Sequence, residues 1–141
     1  IHLLVDWAGG DQLKAFAGCY IRNERSYFLP GATYTVRTAS AFAAKVLPAD
    51  CIFSHNAQSW HYDDDEVLLA SIGYMMCRVP QAFVELGVGG GDIATSGSAA
   101  RRYTTAVIEG VPVKNIDELV TDESISLVNT LLNSKLTELS Y

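Results

Sequence analysis

Residues 63–78 read DDDEVLLASIGYMMCR. Within and just beyond this stretch, Leu68, Ile72, Met75, Met76 and Val79 fall at the three- and four-residue spacing that gathers one apolar face, which predicts an amphipathic helix over Asp63–Arg78. The acidic run Asp63, Asp64, Asp65 and Glu66 suits its first turn. Carboxylates there meet unpaired N–H groups and the positive end of the helix dipole, each gaining about 0.3–1 kcal/mol. The run therefore has a structural reason that requires no metal.

Outward from this helix the chain alternates element types. On the C-terminal side, Gln81–Leu86 reads as a strand, 87–102 as a Gly/Ser-rich loop, and Tyr103–Glu109 as a strand rich in Thr, Val and Ile. Val111–Lys114 extends or bends it, with Pro112 confining it to an edge. A last helix carries Ile125, Val128, Leu132, Leu136 and Leu139 on one stripe, with a break expected near Thr121. On the N-terminal side, His2–Asp6 reads as a short strand, and Asp11–Tyr20 as a short helix capped by Asp11 after the Gly9-Gly10 turn. Tyr27–Leu29 is an aromatic run closed by a Pro30-Gly31 turn, and Ala32–Arg37 alternates as a half-buried strand does. Ala39–Leu47 is Ala-rich and stops before Pro48, which predicts a compact helix. The expected class is mixed α+β, with short strands interleaved with about four helices, in one domain over residues 1–141 or a segment of a larger fold.

Composition narrows the function classes. The chain has 141 residues, 49% apolar and 18% charged, against about 25% charged in an average soluble domain. Residues 1–62 hold five basic and four acidic side chains, while residues 63–141 hold five and twelve, so the halves stand at +1 and −7. An acidic chain repels a phosphate backbone, so direct nucleic-acid binding is not expected, and the pair Arg101 and Arg102 reads as surface or ion-pair partners. The longest apolar run, Val67–Cys77, falls short of the roughly 20 residues a membrane span needs. Cys19, Cys51 and Cys77 fit neither a disulfide framework nor a CxxC knuckle. With apolar or aromatic neighbours, they are expected to be buried, reduced thiols of a cytoplasmic protein.

Two local patterns carry possible chemistry. Gly87, Val88, Gly89, Gly90, Gly91 and Asp92 partly match a dinucleotide-binding turn, but the sixth position is Asp92 or Ala94 by register. The following Thr95, Ser96, Gly97 and Ser98 make a poor crossover helix. The segment also lacks a Gly-Lys-Ser/Thr end and a GxSxG elbow, so no nucleotide cofactor is expected. The second pattern is Cys51, His55, His61 and the acidic run from Asp63, within sixteen residues 51–66. Thiolate, imidazole and carboxylate ligate metals, yet the Cys-to-His step of four and the His-to-His step of six match no closed zinc pattern. No metal is expected. A small hydrolase or metal-dependent enzyme built on Cys51, His55, His61 and Asp63 is the alternative reading, and its geometry would have to converge in the fold.

The sequence points away from an enzyme and toward contact with other protein chains. An apolar, weakly charged chain beginning with Ile rather than Met suits a subunit or processed segment of a larger assembly, most concretely a viral coat (capsid) fragment assembled in the cytoplasm.

Overall fold

A computed structural model describes residues 4–7, 10–88, 100–113, 115 and 117–138. The fold is mixed α+β. Helix α1 (Asp11–Lys14) precedes a single 3-10 turn at Glu24–Ser26, then strands β1 (Gly31–Thr35), β2 (Arg37–Thr38), β3 (Ala44–Leu47) and β4 (Ala57–Trp60). Helices α2 (Asp65–Met75) and α3 (Arg78–Val88) follow, then strand β5 (Arg101–Arg102), helix α4 (Thr105–Glu109), a second 3-10 turn at Asp117–Leu119, and helix α5 (Asp122–Glu138).

The central sheet has the order β3-β1-β4, antiparallel throughout, with Ala32 opposite Val46 on one side and Trp60 on the other. A small ribbon pairs β2 with β5, Arg37 opposite Arg102. Side chains alternate across β1, so Ala32 and Tyr34 enter the core while Thr33 and Thr35 stand on the other face. Tyr34, Val36, Phe42, Met75, Val84, Tyr103 and Val111 form the main buried cluster. Ala32, Leu68 and Ile72 form a second, and Trp60 and Ala44 pack against both. Rings link across the core, with Tyr34–Phe42 centroids 5.4 Å apart and Phe42–Tyr103 5.5 Å.

Helix α2 starts as its sequence predicts, with Asp64 as the cap. Its carboxylate accepts from the Glu66 and Val67 N–H groups at 2.8 and 3.3 Å. Leu68, Ile72 and Met75 are buried, but the helix ends at Met75 rather than Arg78. The cause is Pro80, whose ring would strike the carbonyl four residues back, at Met76, in any continued helix. The chain turns by 67° and restarts as α3, where Pro80 lies in the first turn and its missing N–H is not needed. Gln81 Nε2 donates to the Met75 carbonyl at 2.7 Å and so satisfies one of the groups left open by the turn.

Several expected elements take another form. Gln81–Leu86 belongs to helix α3, not to a strand, because Pro80 and Val84 recur at helical spacing and bury against the core. Thr105–Glu109 is helix α4, and only Tyr103 and Thr104 before it are extended, with the Tyr103 N–H donating to the Val36 carbonyl at 2.7 Å. Within Ala39–Leu47 no helix forms; Ala44–Leu47 is an edge strand on β1. Strand β4 was not expected. Helix α1 stops at Lys14, and Gly10, at φ 74°, occupies the cap position assigned to Asp11. The turn placed at Pro30-Gly31 lies earlier, at Tyr27 and Phe28, with Phe28 at φ 62°, and Gly31 already pairs in β1. Residues 4–7 are not a strand, and His2 and Leu3 lie outside the described residues. Of the loop 87–102, Gly87 and Val88 end α3 and Arg101–Arg102 form β5, while 89–99 lie outside the described residues. The break near Thr121 is present. Thr121 and Ser124 exchange hydrogen bonds, N–H to hydroxyl oxygen at 3.0 and 3.1 Å, and together start α5.

Candidate functional site

The residues singled out in 51–66 spread over a loop, a turn, a strand end and a helix start. Cys51 Sγ lies 3.5 Å from Asp50 Oδ1, and its thiol is pushed above its ordinary value by burial, then by that hydrogen bond and the Asp50 charge. Such a thiol is a poor nucleophile near neutral pH. His55 is exposed in the turn closed by the Ser54–Ala57 bridge. Asp63 is exposed one residue before the Asp64 cap. Among the described residues, no group of three or more His, Cys, Asp or Glu side chains could hold a metal ion. The cysteines differ from expectation: Cys19 and Cys77 are exposed and only Cys51 is partly covered. Apolar neighbours in sequence do not share a face when the chain turns, as it does after Gly18 at φ 85° and between α2 and α3.

His61 does find a partner, and it is Ser59. A carbonyl oxygen only accepts, so the 2.9 Å contact between His61 Nδ1 and the Pro30 carbonyl places the proton on Nδ1. Nε2 is then the acceptor for the Ser59 hydroxyl at 3.0 Å. Ser59 and His61 reach each other because residues two apart share a face of β4 and its extension. Gly31 makes room: a Cβ there would lie 2.6 Å from His61 Nδ1 and 2.8 Å from the Trp60 carbonyl. The His61 ring also packs on Phe53, which packs on Tyr27 and through it on Trp7.

Beside β4, with Ser59 among its lining residues, a cavity of about 250 Å3 opens between the sheet, α2 and α4. Its aromatic lining is Tyr34, Trp60, Tyr62 and Tyr74, with Gln58 and Glu109 among the polar groups. Three of these rings have their polar ends tied to protein. Trp60 Nε1 donates to Ser71 Oγ at 2.9 Å, Tyr34 Oη to Gln58 Oε1 at 2.6 Å, and Tyr74 Oη to the Pro112 carbonyl. Thr105 Oγ1 donates to the same Gln58 Oε1 at 2.8 Å, which fixes the amide and leaves its NH2 group without a protein acceptor among the described residues. Burial raises the Tyr34 hydroxyl above its ordinary value; the Thr105 contact opposes this, and the Glu109 charge adds to the rise.

The third feature is an uncovered surface on α3. Pro80 and Val84 face the core, but the flanking stripe of Val79, Phe83 and Leu86 is 63%, 44% and 77% exposed. Arg101 and Glu85, paired at 3.4 Å, border the helix. No protein-family model, curated protein or solved structure matches the chain.

Proposed function

We propose that this chain is a structural segment of a larger protein assembly, in its most concrete form a coat subunit, and that the α3 stripe contacts a second copy of the chain. The observation that carries the reading is that helix α3 has apolar residues around more of its circumference than its own fold covers. Pro80 and Val84 are buried and Gly87 lies against Val107 of α4, while Val79, Phe83 and Leu86 form an outer row at helical spacing. A wet patch on the order of 400 Å2 forgoes about 10 kcal/mol of gross transfer free energy at ~25 cal/mol per Å2. That is comparable with the whole stability of a domain, about 5–15 kcal/mol. Two such rows packed face to face, with their polar margins, supply about half the area of a standard interface, which buries ~800 Å2 per partner. The weakly charged composition, 18% of residues, suits repeated chain-to-chain contact. Among the described residues no single helix is long and apolar enough to cross a membrane; α2 and α3 pass that test only as a bent pair, and α2 buries Leu68, Ala70, Ile72 and Met75 in the body.

Leu86→Cys, on a background with Cys19, Cys51 and Cys77 replaced by Ser so that it is the single cysteine, tests the contact. Oxidation is expected to yield a disulfide-linked dimer at low protein concentration. Absence of cross-linking at Leu86, with efficient cross-linking at some control surface site, contradicts it.

A hydrolytic reading draws on one specific observation, the Ser59–His61 pair with its Nδ1–H held by the Pro30 carbonyl. An imidazole so oriented can accept the serine proton as Oγ attacks an acyl carbon. Labelling of Ser59 by a fluorophosphonate, abolished in His61→Ala, would favour this reading over a purely structural pair.

A further inference from the structure

We propose that the cavity between β4, α2 and α4 binds a methylated ammonium group. The chemistry of its lining selects for a cation with no hydrogen-bond donors of its own. Trp60 and Tyr74 spend their N–H and O–H groups on Ser71 and Pro112, so what they bring to the cavity is ring surface, while Tyr34, buried against Phe42 and Trp60, backs the Trp60 ring. Tyr62 stands at the rim, 38% exposed. Ring faces carry negative quadrupole charge and attract cations, and a cluster of them recognises quaternary ammonium groups. Glu109 supplies a formal negative charge on the same lining. Exposed at the cavity edge, that carboxylate attracts a cationic head and repels an anion. The Gln58 NH2 group, held in place by two hydroxyls on its oxygen, offers a donor to a hydroxyl or carbonyl acceptor near the cationic head. Both features are outside the α3 surface, so binding here is independent of assembly through α3.

The same head group occurs on a free small molecule of the choline type and on a trimethylated lysine side chain. The test uses the full chain carrying Trp7→Phe, so that Trp60, the other of its two tryptophans, reports alone. Three probes are titrated while Trp60 fluorescence is followed: choline, a short trimethyllysine peptide, and the neutral isostere of choline in which carbon replaces the quaternary nitrogen. Saturable change is expected with choline or the peptide, at about tenfold higher affinity than with the isostere. Tighter binding of the peptide assigns a protein tail as the source; equal or tighter binding of choline assigns a small molecule. Glu109→Gln and Tyr62→Ala, both at exposed positions and checked for folding by circular dichroism, are each expected to weaken binding by about threefold or more. Equal affinity for choline and its isostere, no saturable response to any probe, or undiminished binding in Glu109→Gln overturns the proposal.

Discussion

The contact between Gly73 and Val128 sets how closely α5 lies on α2, and it can be tested by substitution on both sides. A Cβ added at Gly73 would sit 2.8 Å from Val128 Cγ2, closer than real carbon contacts allow. Two effects compete in Gly73→Ala. Alanine gains about 1 kcal/mol over glycine in a helix interior. Overpacking a buried contact costs about 1–3 kcal/mol, and Val128 is buried at this point. The clash wins, with an expected net loss of about 1 kcal/mol. Val128→Ala removes two buried methyl groups and leaves a small void, a loss of about 2 kcal/mol. In the double variant the new methyl occupies part of the space vacated by valine. The helix gain then returns without the clash, and the total loss falls to about 1 kcal/mol rather than the ~3 kcal/mol sum, a coupling of about 2 kcal/mol. Urea unfolding at low protein concentration, followed by far-UV circular dichroism with the slope compared across variants, measures all three. Additive losses within about 0.5 kcal/mol, or a stabilised Gly73→Ala, would refute the close α2–α5 packing.

Three further outcomes follow from the same contacts. Asp64→Ala removes the cap of α2, whose carboxylate accepts from two N–H groups, and should cost about 1 kcal/mol in the same urea assay; no loss would mean that the helix start is held by other groups. Tyr34 and Tyr103 both have hydroxyls raised above the ordinary 10.0, chiefly by burial. The folded state therefore holds those protons more tightly than the unfolded chain, so these two hydroxyls add no pH dependence below about 10.0 and lower stability as pH rises through their folded values, on top of a decline that the raised Cys51 thiol begins near 9.0. Tyr103→Phe, which loses the 3.0 Å bond to Glu85, should lower stability by about 1 kcal/mol at neutral pH and flatten the alkaline decline; an unchanged alkaline slope would count against this assignment. Thiol titration of the native protein should show Cys19 and Cys77 reacting promptly and Cys51 slowly, given its raised thiol; a fastest-reacting Cys51 would reverse the view of it as a poor nucleophile.

The parts of the fold legible in sequence are those with local causes. Helix α2 declares itself through apolar periodicity and an acidic first turn, and the start of α5 through Thr121 and the carboxylates at 122 and 123. What sequence hides is decided by distant partners. Ala44–Leu47 is strand because β1 lies beside it, whereas its alanines read as helix. Ala57–Trp60 has little strand signature and forms through its register with Ala32–Thr35. Gln81–Leu86 reads as strand, but Pro80 breaks one helix and sits in the first turn of another that carries these residues. The site shows the same division. His61 stood out as a titratable group beside Asp63, but the period of two in an extended chain hands it Ser59 instead. The cavity draws Tyr34, Trp60, Tyr74 and Glu109 from four elements, so no spacing along the chain could have revealed it.

Sedimentation velocity over a wide concentration range tests the assembly proposal most directly, run on the native chain and on a variant carrying Phe83→Asp and Leu86→Asp. Both positions are exposed on α3, so the charges are tolerated by the fold and intolerable in an apolar contact. The native chain should sediment as dimers or larger species whose share grows with concentration, and the variant as a monomer with an unchanged circular dichroism spectrum. A native chain that remains monomeric at every concentration, or a variant that associates as strongly as the native chain, would contradict it.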